Sequence, residues 1–253
     1  MKNRVTAVAA ACLCASAFLG SPSADASIIV GGTRIVYNGQ EREVTVKLGN
    51  EGALPALTQV WLDNGDTNLA PAAIEVPFVI SPPLTRIEPG RSQTLRVFYS
   101  GEALPKDKET LFWLNVLEVA PKPTGDSADS NTLQLAFRTR LKFFFRPEGL
   151  DGQPAEAPGK IQWRVVTTGT THSIEARNPT PYHVTFAKLE VIDGDSRAVS
   201  TDAGMVGPGE VKSFRVKDPL TAAPALMVRY QSINDHGGLS LGETAFESIP
   251  ASE

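Results

Sequence analysis

The residues equipped for acid–base, nucleophilic or metal chemistry are few in this chain, and their spacing does not assemble them. The three histidines, His172, His183 and His236, lack ligand spacing such as H-x-x-x-H, so no zinc site is predicted. Glu190, Asp193 and Asp195 gather at a glycine turn, but they do not follow the calcium-loop spacing and read as solvated charge. Gly238-Leu239-Ser240-Leu241-Gly242 matches the G-x-S-x-G nucleophile pattern. That pattern needs a strand–turn–helix, with an acid and then a histidine after the serine. Here neither aspartate nor histidine follows Ser240, and its surroundings read as strand. No glycine-rich phosphate loop or dinucleotide fingerprint is present. With no assembled nucleophile, base and oxyanion set, the chain reads as a binding module without metal or cofactor, and not as an enzyme.

Cys12 and Cys14 are the only cysteines, and both precede residue 27. Lys2 and Arg4 lead into the apolar stretch Val5 to Leu19, and Ala24-Asp25-Ala26 supplies a small-x-small cleavage site. Residues 1–26 therefore read as a secretory signal peptide, with a mature chain from Ser27 to Glu253. Leu13 before Cys14 is a poor match to a lipoprotein acceptor. The exported chain is then free of disulfides, and thiolate catalysis is excluded. No later segment reaches the ~18 apolar residues of a membrane span, so membrane insertion is not expected. The 24 basic and 28 acidic residues are interleaved and give a net charge of −4. Without a basic face, nucleic acid is excluded as a partner.

Hydrophobic periodicity is near two almost throughout. Val44, Val46 and Leu48 alternate with Glu43, Thr45 and Lys47, the pattern of a half-buried strand. Comparable runs cover 57–62, 94–99, 172–176, 184–191, 211–216 and 226–231, and the denser run 111–119 predicts a strand buried on both faces. Turn signals such as Asn64-Gly65, Pro89-Gly90 and Pro208-Gly209 separate them. With no sustained 3.6 period, the fold class is all-β, built of antiparallel sandwiches. Glycines and prolines crowd between Arg146 and Lys160, which divides the chain into domains 27–147 and 148–253, each of immunoglobulin-like size. Pro121 to Ser130 reads as an exposed polar loop.

The strand predicted over 132–145 is the most informative element. Leu133, Leu135, Phe137, Leu141 and Phe143 occupy odd positions, and Gln134, Arg138, Arg140 and Lys142 even ones. On pattern alone it is an ordinary last strand of the first sandwich. The sharper reading is an apolar edge kept open to pair with another chain, since such an edge is otherwise an aggregation hazard.

Several segments together resemble one family, the PapD-like periplasmic chaperones of chaperone–usher pilus assembly. They are Gly32-Thr33-Arg34-Ile35-Val36-Tyr37, Leu54 to Leu62, Pro82 to Gly90 and Leu104 to Trp113. Leu141-Lys142-Phe143-Phe144-Phe145-Arg146-Pro147, Asn178-Pro179-Thr180-Pro181-Tyr182 and Ile233-Asn234-Asp235-His236-Gly237-Gly238 complete the set. Each is weak alone; their order and spacing over the whole mature chain are specific. The resemblance implies two immunoglobulin-like β-sandwich domains arranged in an L, with a cleft between them for an incomplete pilin.

In such chaperones the last strand of the first domain completes the fold of a pilus (fimbrial) subunit. The donor positions map to Leu133, Leu135 and Phe137, and full burial is worth about 1.5–3 kcal/mol for each such side chain. The family's anchor for the subunit's C-terminal carboxylate maps to Arg34 and Lys142, two cations suited to charge-assisted hydrogen bonds. An interdomain charge network maps to Glu109, Arg146 and Asp235. The implied partners are pilin subunits, an outer-membrane usher and, when the chaperone is free, a second copy in a self-capping dimer. The implied location is the periplasm. The loop at 121–130 is a few residues longer than in short-loop members but lacks the alternating apolar residues of long-loop ones. Short-donor and archaic subtypes both fit. The alternative is a secreted pilus or coat subunit. That reading fits less well, because this chain has two complete-looking halves and its mature start soon becomes the Arg34 strand.

Overall fold

The computed structural model describes residues 27–121, 135–168, 171–194, 196–200, 202–216 and 226–246. Period-two patterning becomes strands in both halves. In the first, β1 (Ile28–Val30), β3 (Val44–Asn50), β5 (Phe78–Ser81) and β7 (Ser92–Tyr99) form a sheet in the order β1-β3-β7-β5. The facing sheet joins β2 (Arg34–Asn38), β4 (Ala56–Asp63), β6 (Leu84–Ile87), β8 (Thr110–Val119) and β9 (Ala136–Arg146) in the order β2-β9-β8-β4-β6. The second half pairs β10 (Gln162–Thr168), β11 (Thr171–Arg177) and β15 (Val211–Val216) in one sheet. Its other sheet orders β13 (Ser196–Val199), β12 (Val184–Asp193), β16 (Met227–Ile233) and β17 (Leu239–Ala245), with β14 (Gly204–Val206) also paired to β12. Among the described residues there is no α-helix, only short 3-10 turns at Pro71–Ala73 and Ala157–Lys160.

Each sandwich has its own core. Alternation in β3 buries Val46 and Leu48 and exposes Thr45 and Lys47. In the first half Tyr37, Phe78, Tyr99, Phe143 and Phe145 form an aromatic nest, with Phe78 and Phe143 ring centroids 5.0 Å apart. Burying each phenylalanine there contributes about 2–3 kcal/mol. In the second, Trp163, Phe186, Phe214 and Tyr230 play the same part. Asn178 binds the Tyr182 and Val206 carbonyls through its side-chain nitrogen and so fixes the Asn-Pro-Thr-Pro-Tyr loop. The dense run at 111–119 is buried on its inner face at Phe112, Leu114 and Val116, whereas on the outer face only Asn115 is covered and Leu111, Trp113 and Leu117 stay partly exposed. Ser240 lies within β17 and not on a strand–turn–helix, so the G-x-S-x-G match has none of the geometry a nucleophile needs.

The decisive asymmetry is in β9. β8 pairs with all but the last residue of it, from Ala136 to Phe145. β2 pairs with its other edge only from Lys142 to Arg146. Among the described residues, the edge from Ala136 to Leu141 therefore has no partner strand.

Candidate functional site

Two neighbouring strands carry the cleft residues. β2 and β9 run parallel, with Arg34 opposite Lys142, Val36 opposite Phe144 and Asn38 opposite Arg146. Ile35, Tyr37, Phe143 and Phe145 pack into the core, so alternation turns Arg34, Lys142, Phe144 and Arg146 to the other face, toward the second sandwich. There Arg34 Nη1 donates to the Ile233 carbonyl at 2.9 Å, and Lys142 Nζ donates to Thr185 Oγ1 at 3.1 Å. Both partners are neutral. Arg34 Nε is buried with no hydrogen bond. Burial, then Arg34 and Lys212 as like charges, pushes the Lys142 ammonium down to about 8. Burial also lowers Arg34, partly offset by the fields of Asp235 and Glu109. A pocket of about 270 Å³ adjoins them, lined among others by Arg34, Phe144, Thr185 and Ile233. Two undercompensated cations beside a partly apolar pocket make a site for an anion with an apolar neighbour, such as a chain-terminal carboxylate.

The three residues expected as an interdomain network do meet. Arg146 Nε donates to Glu109 Oε1 at 2.7 Å, and its two terminal nitrogens grip Asp235 at 2.7 and 3.0 Å. Burial alone would lower Arg146, but Asp235 and Glu109 outweigh it and raise it. Sequence reading missed a fourth member, His183, whose backbone N–H and Nδ1 both lie against Glu109 Oε2, at 2.7 and 3.1 Å. Its neighbour Pro181 accepts the Glu109 N–H through its carbonyl. Gly237, with φ +82°, lets the loop after β16 close on the first sandwich: a Cβ there would stand 2.4 Å from Thr33 Oγ1.

Of the three donor positions, Leu133 lies outside the described residues. Leu135 and Phe137 share the parity of the buried Leu141, Phe143 and Phe145, yet they run past the core and are 51% and 36% exposed. They line a hollow of about 830 Å³ together with Ile29, Leu54, Pro55 and Glu118. On the opposite face of β9, Arg138 lies 5.0 Å over Trp61 and Arg140 4.3 Å over Trp113. Arg140 also binds the fully buried Asp63 at 2.5 Å, and Arg138 grips Asn115 at 2.7 and 2.9 Å. Burial would raise Asp63, but hydrogen bonds from Arg140, Asn115 and Gly65 hold it below the usual carboxylate range. This lattice braces the half-paired stretch of β9 from behind. Two arginines at alternate positions of one strand were its sequence signal; the register sets them opposite Leu117 and Asn115, with Trp113 diagonal to Arg140 and Trp61 one strand further on.

An open apolar edge beside a bare pair of cations is the arrangement that comparison with known proteins resolves. Residues 27–151 match the family model described as pili and flagellar-assembly chaperone, PapD N-terminal domain, and residues 156–244 match the pili assembly chaperone PapD, C-terminal domain. The chain belongs to this PapD-like family of pilus-assembly chaperones. The chaperone protein FimB/FhaD of Bordetella pertussis is 42% identical over 87% of this chain and 88% of its own length. The probable fimbrial chaperone YadV of Escherichia coli K12 is 41% identical, with 86% and 89% covered. The crystal structure of the YadV chaperone superposes with a TM-score of 0.74 at 38% identity, covering 87% of this chain and all of that one. A chain of the Salmonella enterica SafA pilin–SafB chaperone complex gives 0.70 at 26% identity, covering 90% and 99%. The protein is therefore a chaperone of pilus assembly with two immunoglobulin-like sandwiches, and not an enzyme.

Proposed function

We propose that this chaperone captures pilin subunits by lending them β9, with 27–147 as the donor-bearing domain and 148–253 as its companion. The open edge from Ala136 to Leu141 offers backbone donors and acceptors to a subunit strand, while Leu135 and Phe137, with Leu133 before them, fill the groove of the unfinished subunit. Arg34 and Lys142 hold the subunit's terminal carboxylate, and that fixed point sets the register of the pairing. Glu109, Arg146 and Asp235 keep the two sandwiches at a fixed angle so that both halves of the site face one cleft. The observation that carries the reading is the half-paired edge of β9, ending at the Lys142 that faces Arg34.

The chain acts in the periplasm after removal of residues 1–26, and it passes its cargo to an outer-membrane usher. Without a subunit, the same edge serves a second copy in a self-capping dimer. Co-expression with candidate pilin subunits, followed by pull-down, tests the assignment. Wild-type protein recovers the subunit, whereas Lys142→Ala and Arg34→Ala remain soluble and do not. Undiminished recovery with both variants would remove the anchoring role.

A further inference from the structure

Glu118 sits at an inward position of β8, in line with Phe112, Leu114 and Val116, and is only 8% exposed. Its carboxylate accepts the Ser27 N–H at 3.2 Å on Oε1, the Ile28 N–H at 3.0 Å on Oε2, and the Ser27 hydroxyl. No cationic side chain among the described residues pairs with it. The charged residues lining the adjoining hollow are Glu51 and Glu118, both acidic. A buried carboxylate with three neutral donors and no countercharge is costly. Ser27 is nonetheless docked there from two further sides. Its carbonyl accepts the Glu51 N–H at 2.8 Å, and a Cβ on Gly52 would stand 2.4 Å from the Ser27 Cβ.

Ala24-Asp25-Ala26 immediately precedes this docked residue. We propose that Glu118 is the receptor for a newly cut N-terminus. Water adds across the Ala26–Ser27 peptide bond, leaving a carboxylate on Ala26 and an α-ammonium on Ser27, and that ammonium supplies the missing countercharge. This rests on the leader reading given above. Cutting then locks β1 onto the first sandwich, and it does so at the rim of the hollow lined by Leu135 and Phe137. The docked terminus stands at that rim, so processing completes the fold beside the donor surface.

The sign of the effect follows from linkage. An α-amine has an ordinary pKa of about 7.7–8.0, and a buried carboxylate partner raises it in the folded state. Its stabilisation is then complete below about pH 7.7 and is lost as pH rises through the raised value.

The test uses protein purified from the periplasm. Intact mass reads the first residue, and melting temperature is followed from pH 6.5 to 10. Two variants are compared with wild type: Glu118→Gln, and a chain with two alanines inserted before Ser27 that moves the ammonium away from Glu118. Wild type is expected to start at Ser27. It should melt several degrees above both variants at pH 7, with the gap closing as pH rises past 9. Lys142 titrates in the same window, but equally in all three chains, so the difference isolates the terminus. Parallel melting profiles at every pH would overturn the proposal. A cleaved chain starting elsewhere than Ser27 would overturn it while leaving the chaperone reading untouched, whereas a retained leader would overturn the leader reading as well.

Discussion

Arg34 and Lys142 face each other directly across the one parallel strand pair among the described residues, and each donates only to a neutral oxygen of the opposite domain. A pair held this way is preorganised for an anion, because its partners are easily replaced by a carboxylate that returns more. Peptides ending in the subunit's own C-terminal sequence should bind wild type and lose about 10- to 100-fold in affinity to Lys142→Ala, in keeping with about 1.5–3 kcal/mol for a hydrogen bond to a charged group. Amidating the peptide's terminus should cost as much and make the variant indifferent. Calorimetric titration measures both.

The same pair makes binding depend on pH. In the empty cleft Lys142 is pushed down to about 8 by burial and by its cationic neighbours. Between about pH 8 and the ordinary lysine value of about 10.4, the native state holds fewer protons than the unfolded one, so this residue's contribution to stability rises with pH across that window. Below pH 8 the cost of keeping it charged is present in full. A bound carboxylate favours the ammonium, so capture takes up a proton and affinity falls by up to about tenfold per pH unit above 8. Titrations at pH 8.5 in two buffers of different ionisation enthalpy should show that uptake; equal heats would contradict it.

Arg146 supports the geometry from behind. Removing it as Arg146→Ala strands Glu109, 4% exposed, beside His183 with its guanidinium partner gone. Loss of one partner of a buried pair costs about 3–5 kcal/mol. The melting temperature should fall, and small-angle scattering should show a broader distribution of interdomain angles. Gly237→Ala should loosen the same contact more mildly, through its positive φ and the approach of Thr33.

Leu135→Asp with Phe137→Asp should cost the free chaperone little stability, because both side chains lie past the core and are 51% and 36% exposed. Subunit capture should fail all the same. Thermal melts and periplasmic pull-down separate the two effects. A matching loss of stability would mean that these residues belong to the chaperone's own core.

Much of this was legible in the residue pattern. Val44, Val46 and Leu48 announced a half-buried strand, and the odd positions of β9 marked both core and donor rows, because a two-residue repeat records which face is covered. The pattern could not show where along β9 the core ends. Leu135 and Phe143 look alike in sequence, and only the packing separates them: Phe143 lies against Tyr37 and Phe78 in the core, whereas Leu135 is exposed beyond it. Short strands such as β1, β5, β13 and β14 span too few residues to establish a period. Cross-strand partners were equally hidden: His183 on Glu109 and Glu118 on Ser27 join positions 74 and 91 residues apart. Glu118 did leave one trace, a charge at an inward position of an apolar strand.

The most direct test of the donor mechanism is hydrogen exchange along β9, read residue by residue in the free monomer and in the purified subunit complex. Between Ala136 and Leu141, the amides that point away from β8 should exchange freely in the monomer and become strongly protected in the complex, while those bonded to β8 change little. Unchanged exchange at the outward amides of a complex that still holds its subunit would show that capture occurs elsewhere.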